Sequence, residues 1–353
     1  MALPRQSKYA LAILVLSHGM VLFAGFFSPY DPTVQNRELP FAPPVRIHFF
    51  DSQNRLHIRP FVYRLIASAA NYAHYEEDRS RLYPLRFFVA GGRLLGVDNP
   101  AKIFLIGTDA YGRDQFSRFL YGGRISLLAG LCATAVSLGL GIILGAVAGF
   151  YGGWLDELIM RTAEIFLVLP SLYLLFAVRA VLPLHIAPSG VFLVLMAVIG
   201  AVGWARPARL IRGVILSAKE RDFVLAARGF GASDLYLLRR HILPQASSVV
   251  LSQAAVLVPA YILAEVILSF FGLGVAEPSA SWGNLLANLR QYNVLESYWW
   301  MLLPAIALIP VFLAYNTVLS YYKHYSPGPT GQTEFDKDPV TASALESRNR
   351  SPN

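Results

Sequence analysis

Only one cysteine, Cys132, occurs in 353 residues, and only 15% of the chain is charged. A lone thiol inside an apolar run gives no internal disulfide framework and no thiol metal site. The shortage of charge, beside 55% hydrophobic residues, lies far from the soluble average of about a quarter charged and excludes an ordinary soluble domain. The pattern GxxxxGK[ST] is missing, so no nucleotide site is expected in this chain, and with it no enzymatic activity of its own. HExxH and GxSxG are missing too, and His18, His48, His57, His74, His185, His241 and His324 are scattered. An intramembrane hydrolase would need a nucleophile with a base at the same depth, and neither Ser137 nor Ser269 has one that the sequence identifies. The net charge of +8 raises the question of nucleic acid. Its basic residues border apolar runs and lack an aromatic platform, which fits orientation in an anionic membrane instead.

What the chain does have is long apolar runs. Lys8 to Phe27 matches the roughly 20 residues that span a bilayer, and Arg5 and Lys8 before it place the N-terminus inside. A cleavable signal peptide ending near Phe23 to Gly25 is the competing reading; the run is long for such a segment. A polar, aromatic, proline-bearing stretch follows to about Arg118. Within it Ile47 to Ile58 reads as two strands about a turn at Asn54, Tyr83 to Gly92 as another strand, and Ala67 to Arg81 as a helix. This insertion either meets a partner or lids the membrane domain. GTDAYGRD then reads as an outer elbow in which Gly107, Thr108, Asp109, Gly112, Arg113 and Asp114 make a capped turn, with Arg113, Arg118 and Arg124 among headgroups.

The second span, about Ile125 to Phe150, carries Gly141, Gly145 and Gly149 as one helical stripe. Such a stripe permits close approach of another helix, in this chain or in a partner. Tyr151 to Arg161 reads as a short cytoplasmic elbow. The third span, about Ile159 to Val181, should kink at Pro170. The fourth runs from Pro188 to Trp204, the fifth from Ser247 to Phe271, and the sixth to about Ser320, bent by Pro304 and Pro310, with Trp299 and Trp300 at the interface. The fifth carries Glu265, an intramembrane carboxylate and therefore a functional candidate. Arg179 lies at a comparable depth. The two either pair, line the outer pathway, or snorkel independently. Ser326 to Asn353 is polar, without apolar periodicity, and is expected to be disordered.

Arg221 to Pro244 stands apart. Arg206, Arg209, Arg212, Lys219, Arg221, Arg228, Arg239 and Arg240 crowd it and its approach, against Glu220, Asp222 and Asp234, so it faces the cytoplasm. Its grammar is helix, turn, helix. Ala226 and Ala227 favour helix, Gly229 and Gly231 break it, and Ser233 caps the next with Asp234 in its first turn. Arg239, Arg240 and His241 fall in the last turn, before Pro244 ends it. A cytoplasmic two-helix knob on a membrane chain is a docking device.

This stretch resembles the EAA loop of the membrane subunits of binding-protein-dependent ABC importers, with Ala226, Ala227, Gly231, Leu243 and Pro244 in register. Leu225 stands where that family has glutamate, and His241 where it has isoleucine. GTDAYGRDQFSRFLYGGRISLLAG, YGGWLDELIMR and AEVILSFFGLGVAEPSASWGNLL narrow the resemblance to the second permease of dipeptide and oligopeptide importers.

The resemblance implies an all-α integral membrane protein, a six-span type I importer permease fold with an extracytoplasmic α+β insertion after the first span. The expected units are residues 1–28 (cytoplasmic N-terminus and first span), 29–118 (insertion and entry elbow), 119–322 (five-span core with cytoplasmic coupling loop 205–244) and 323–353 (tail). Both termini would lie in the cytoplasm of a bacterial cell with the chain in its inner membrane. Implied partners are a homologous permease, two ABC ATPases that bind ATP and Mg, an extracytoplasmic solute-binding protein and membrane lipids, with no nucleic acid. The resemblance assigns ATPase coupling to Arg221, Ala226, Ala227, Gly231, Ser233, Asp234, Leu243 and Pro244. Peptides are the expected cargo; nickel chelates, sugars and peptide antibiotics are alternatives within the same machinery. A secondary transporter would need midplane relay charges and repeated broken helices, and a membrane scaffold or receptor would have little need of the knob.

Overall fold

The computed structural model describes residues 4–68, 74–89, 91–181 and 188–325. The chain opens with α1 (Arg5–Leu22), which breaks at Phe23 and resumes for one turn as α2 (Ala24–Phe27). Helices α3 (Gln115–Tyr151), α4 (Gly153–Val168), α5 (Ser171–Val181), α6 (Pro188–Val202) and α7 (Ala205–Lys219) follow the insertion. Then come α8 (Asp222–Gly229), α9 (Asp234–Leu237), α10 (Ser247–Phe270), α11 (Trp282–Ala287), α12 (Tyr292–Ser297) and α13 (Leu303–Tyr325).

Three helical stretches, Gln115–Tyr151, Asp234–Phe270 and Trp299–Tyr321, are long and apolar enough to cross a membrane. The number rises to five if each of two bent pairs is one span. One pair breaks at Leu169 and Pro170 with a 91° bend, as the missing proline N–H predicts; the other bends by 42° between α6 and α7. Pro304 falls in the first turn of α13, where no helical hydrogen bond is lost, so only Pro310 lies in its interior. Pro259 lies inside α10.

The 37-residue α3 is the central post, and it runs unbroken from the elbow before Gln115 to Tyr151. The amphipathic entry helix expected ahead of the second span is therefore its first turns. One face buries Ala129, Ala133 and Leu138 against Leu195, Met196 and Ile199 of α6 and Leu257 and Tyr261 of α10. Another buries Leu127 with Val21, Ile262, Trp282 and Leu308, so α1, α10, α11 and α13 share a second core.

Between Ser28 and Asp114 the described residues form strands and turns and no helix. Strands β1 (His48–Phe50), β2 (Leu56–Ala67) and β3 (Tyr75–Pro84) make an antiparallel sheet in that order, and β4 (Arg86–Val89) pairs with β5 (Arg93–Gly96). The turn at Asn54 is as expected: its φ is 59°, and Asp51 accepts from the backbone N–H groups of Gln53 and Arg55 at 2.9 Å each. The helix expected over Ala67 to Arg81 is replaced by the end of β2 and by β3; residues 69–73 of that stretch lie outside the described residues. Helix-favouring Glu76, Glu77 and Arg79 are overruled by ladder pairing of Tyr75 to Asp78 with Arg64 to Ala67. Packing of Tyr83 with Val62, Leu65, Ile103 and Phe104 completes the override. The tail from Ser326 onward also lies outside the described residues.

Candidate functional site

The knob begins where α7 ends. Its inner side is apolar: Val224 of α8, Leu237 of α9 and Ile242 are buried against Ile211, Ile215 and Ala218 of α7 and Phe150 of α3. The turn between α8 and α9 satisfies the helix's last carbonyls in a paired pattern. The Gly231 N–H donates to the Arg228 carbonyl at 2.9 Å, and the Ala232 N–H to that of Ala227 at 3.1 Å. That pattern needs a left-handed residue, and Gly231 supplies it with φ +82°. Gly229 is simply the last residue of α8. Ser233 caps α9, accepting from the Tyr236 N–H at 3.4 Å. The outer side stays open, with Phe223, Leu225, Leu235 and Tyr236 exposed and Phe230 93% exposed. Leu225, at the position where the resemblance expects a glutamate, thus presents an apolar side chain at the surface.

Pro244 does not end the second helix of the knob. Leu238–Ile242 form a π turn and Leu243–Ala246 a 3-10 turn, after which α10 continues. Widening the turn before a proline relieves its clash with the preceding carbonyls and lets the helix pass through. The second helix of the knob and the fifth span, Asp234–Phe270, are one helical rod.

The glycine stripe packs within the chain. A Cβ on Gly145 would lie 2.5 Å from the Ala208 carbonyl oxygen, and one on Gly149 2.9 Å from that of Arg212. A Cβ on Gly141 would lie 2.6 Å from Pro207 Cβ. Arg212, from the same α7, makes a bidentate pair with Asp156 of α4. These contacts bind α3, α4 and α7 together beneath the knob.

At the opposite end, the elbow residues form a buried polar network, in which Asp114 Oδ1 and Arg118 Nε lack hydrogen-bond partners. Gly107 and Gly112 take φ of 78° and 68°. The Ala42 N–H donates to the Thr108 hydroxyl, which itself donates to the Leu39 carbonyl, each at 2.7 Å. Asp114 caps α3 through the Ser117 N–H at 2.8 Å. Arg113 and Arg118 are not among headgroups. Arg113 Nε donates to Asp109 at 2.7 Å and its Nη1 to Glu277 at 2.6 Å. Arg118, 0% exposed, reaches Glu277 at 2.9 Å and Asp109 at 3.6 Å. Burial disfavours charge on Arg113, but the hydrogen bond to Glu277 and the charge of Asp109 outweigh it and hold its pKa above the ordinary value. Burial pushes Asp114 up to about 6 against the opposing hydrogen bonds from Ser117. Trp300 is not an interfacial anchor either: its indole donates to the Thr108 carbonyl at 3.0 Å, and Trp299 is the exposed one of the pair.

Glu265 and Arg179 do not pair. Glu265 is 2% exposed, and its carboxylate accepts from the Ser269 hydroxyl at 2.6 Å. Ser126 of α3 and Ser281 before α11 lie close by, while the second carboxylate oxygen of Glu265 is buried without a hydrogen-bond partner. Among the described residues no ion pair reaches either residue, and Arg179 Nε is buried without a partner. These serines tie α10 to α3 and to the chain re-entering at α11, because Ser269 also accepts from the Val275 N–H and Ser126 from the Trp282 N–H, each at 3.1 Å. An i,i+4 spacing could have revealed both Glu265 with Ser269 and Asp109 with Arg113. Nothing local could have revealed Glu277, whose partners lie more than 150 residues earlier. A cleft of about 370 Å³ lies between α4, α6 and α10, lined by Phe166, Leu169, Ile199, Arg206, Tyr261 and Ala264. No group of metal-ligating residues occurs among the described residues.

These features, a helical core of apolar spans with a two-helix knob packed at one end, define a multi-pass membrane protein. Residues 141–324 match the family described as the inner membrane component of binding-protein-dependent transport systems, and the chain belongs to that family. The dipeptide transport system permease protein DppC of Bacillus subtilis (strain 168) is 38% identical over 221 residues, covering 62% of this chain and 67% of that protein. The oligopeptide transport system permease protein OppC of the same organism is 37% identical over 235 residues, covering 66% and 74%. A crystal structure of an amino acid ABC transporter with histidines aligns with a TM-score of 0.43 at 16% identity, over 59% of this chain and 93% of that one.

Proposed function

We propose that this chain is the second permease subunit of an ATP-driven importer of dipeptides or oligopeptides. It forms the pathway with a homologous permease, receives cargo from an extracytoplasmic binding protein, and docks one of two ABC ATPases on the knob. Those ATPases bind ATP and Mg; this chain binds neither. The α1 helix is the first of six spans, with both termini in the cytoplasm of a bacterial cell and residues 29–118 outside. The cleft between α4, α6 and α10 is this subunit's side of the pathway.

The single observation that carries the coupling role is the two-sided knob. Val224, Leu237 and Ile242 fasten it inward, while Phe230 and Leu225 are presented outward. Contacts made there reach α10 through α9, which shares its apolar packing with α8 and continues into α10, so differential binding by the ATPases in their open and closed states shifts the access equilibrium. Phe230→Asp is the direct test, in the whole complex purified from native membranes. ATPase subunits should be lost from the complex and peptide uptake should fall, with this chain at its normal membrane level. Unchanged copurification and uptake would overturn the assignment. Uptake that survives deletion of the ATPases would point to a secondary transporter.

A further inference from the structure

We infer that the β4–β5 hairpin is a membrane anchor that inserts Phe87 and Phe88 into the outer leaflet, where Arg59, Arg86 and Arg93 meet lipid phosphates. This rests on the proposed placement of residues 29–118 outside the cell. The two phenylalanines are 53% and 76% exposed on an otherwise basic surface. Phe88 takes φ 54°, a conformation rare for a bulky side chain.

Position selects lipid as the occupant. The Phe88 ring lies 6.3 Å from that of Phe26 in α2, and Arg93 Nη1 donates to the Pro29 carbonyl at 2.8 Å. The hairpin is thereby fastened to the outer end of the first helix. Residues 5–27, at about 1.5 Å per residue, extend about 34 Å, slightly more than a hydrocarbon core of about 30 Å. Phe26 therefore emerges at the outer headgroup level, and Phe88 lies beside it at the same level.

Charge points the same way. A cleft of about 690 Å³ is lined by Phe87 and Phe88 together with Arg59, Arg86, Arg93 and Asp98. Asp98 is engaged by Arg86 at 2.6 Å, while Arg59 makes no ion pair among the described residues. Exposed aromatics flanked by arginines, of which Arg59 has no acidic partner among the described residues, match the layered chemistry of a leaflet, with acyl chains below and phosphates above. The insertion would then be held down at the membrane beside the pathway mouth.

The test places a nitroxide at Phe88→Cys in a Cys132→Ala background, in the assembled importer in phosphatidylglycerol nanodiscs, with Gln53→Cys on the β1–β2 turn as the reference. Collision with oxygen should exceed collision with a water-soluble nickel chelate at position 88 and fall below it at 53. Arg59→Glu should return position 88 to the aqueous value, and Arg59→Lys should not. An aqueous reading at 88 in the parent overturns the anchor. A reading closed to both quenchers also overturns it, because the hairpin is then covered by protein. Immersion that is indifferent to Arg59→Glu overturns the role of the arginine. Labelling of Gln53→Cys by an impermeant maleimide on intact cells checks the placement separately: failure there removes the topology, whatever the nitroxide reports.

Discussion

Glu277→Ala should destabilise the outer end of the protein far more than its position in a loop suggests. Glu277 is 47% exposed on its side chain, yet it serves Arg113 and Arg118, which are 5% and 0% exposed on theirs. Its loss leaves Arg118 with Asp109 at 3.6 Å and the Pro32 carbonyl at 3.4 Å, both weak contacts. Stranding a buried charge costs about 3–5 kcal/mol. Water can enter from Glu277's open side, which lowers the expectation to roughly 2–3 kcal/mol. The assay is thermal unfolding of the detergent-purified complex, followed by size-exclusion monodispersity. Glu277→Ala should melt lower, and adding Arg118→Met, which removes the stranded charge while keeping much of the volume, should recover most of the loss. A single variant that melts like the parent would refute the reasoning, and so would a double variant no better than the single one.

Gly231→Val should abolish uptake while the chain reaches the membrane normally. Nothing lies within 4 Å of its would-be Cβ, so only the left-handed backbone is strained; Gly231→Asn should retain function. Gly145→Val should lower thermal stability by about 1–3 kcal/mol or more by overpacking against the Ala208 backbone, while Gly213→Ala, which has open space, should not. Asp114 is raised from 3.8 to about 6, so its proton is held in the folded chain after the unfolded chain has released it. Its contribution is complete below about pH 4 and lost as pH rises through about 6, a fall of roughly 3 kcal/mol. Asp114→Asn should flatten that part of the stability profile in a pH series of melts. A double-mutant cycle on Glu265 and Arg179 should give a coupling energy below about 0.5 kcal/mol, as for residues without a shared contact.

What the sequence disclosed and what it hid divide by range. Hydropathy marked the long apolar helices α3, α10 and α13 because burial in lipid is a local demand on every residue. The Ser233 cap, the Asn54 turn and the helix break at Gly231 were readable for the same reason: their chemistry closes within a few residues. The outer network was not. Asp109 and Arg113 advertise each other by spacing, but Glu277 joins them only after the intervening chain has crossed and recrossed the bilayer. Arginines near a span end read as headgroup anchors, and only the fold shows Arg118 sealed inside. Tyr75 to Pro84 misled because glutamate and arginine favour a helix, while pairing with β2 is a tertiary fact. Pro244 misled because a π turn absorbs the proline instead of stopping the helix.

The unbroken rod from Asp234 to Phe270 also makes orientation a matter of residue number. Each α-helical residue turns the chain by about 100°. Adding or removing one between the knob and Glu265 would turn Leu237 and Ile242 away from their packing against Ile211, Ile215 and Phe150, unless the knob swung with them. The π turn at Leu238–Ile242 holds the place of such an added residue. It therefore sets the bearing of Leu235 and Tyr236 on the knob relative to Glu265 and Ser269 at the far end.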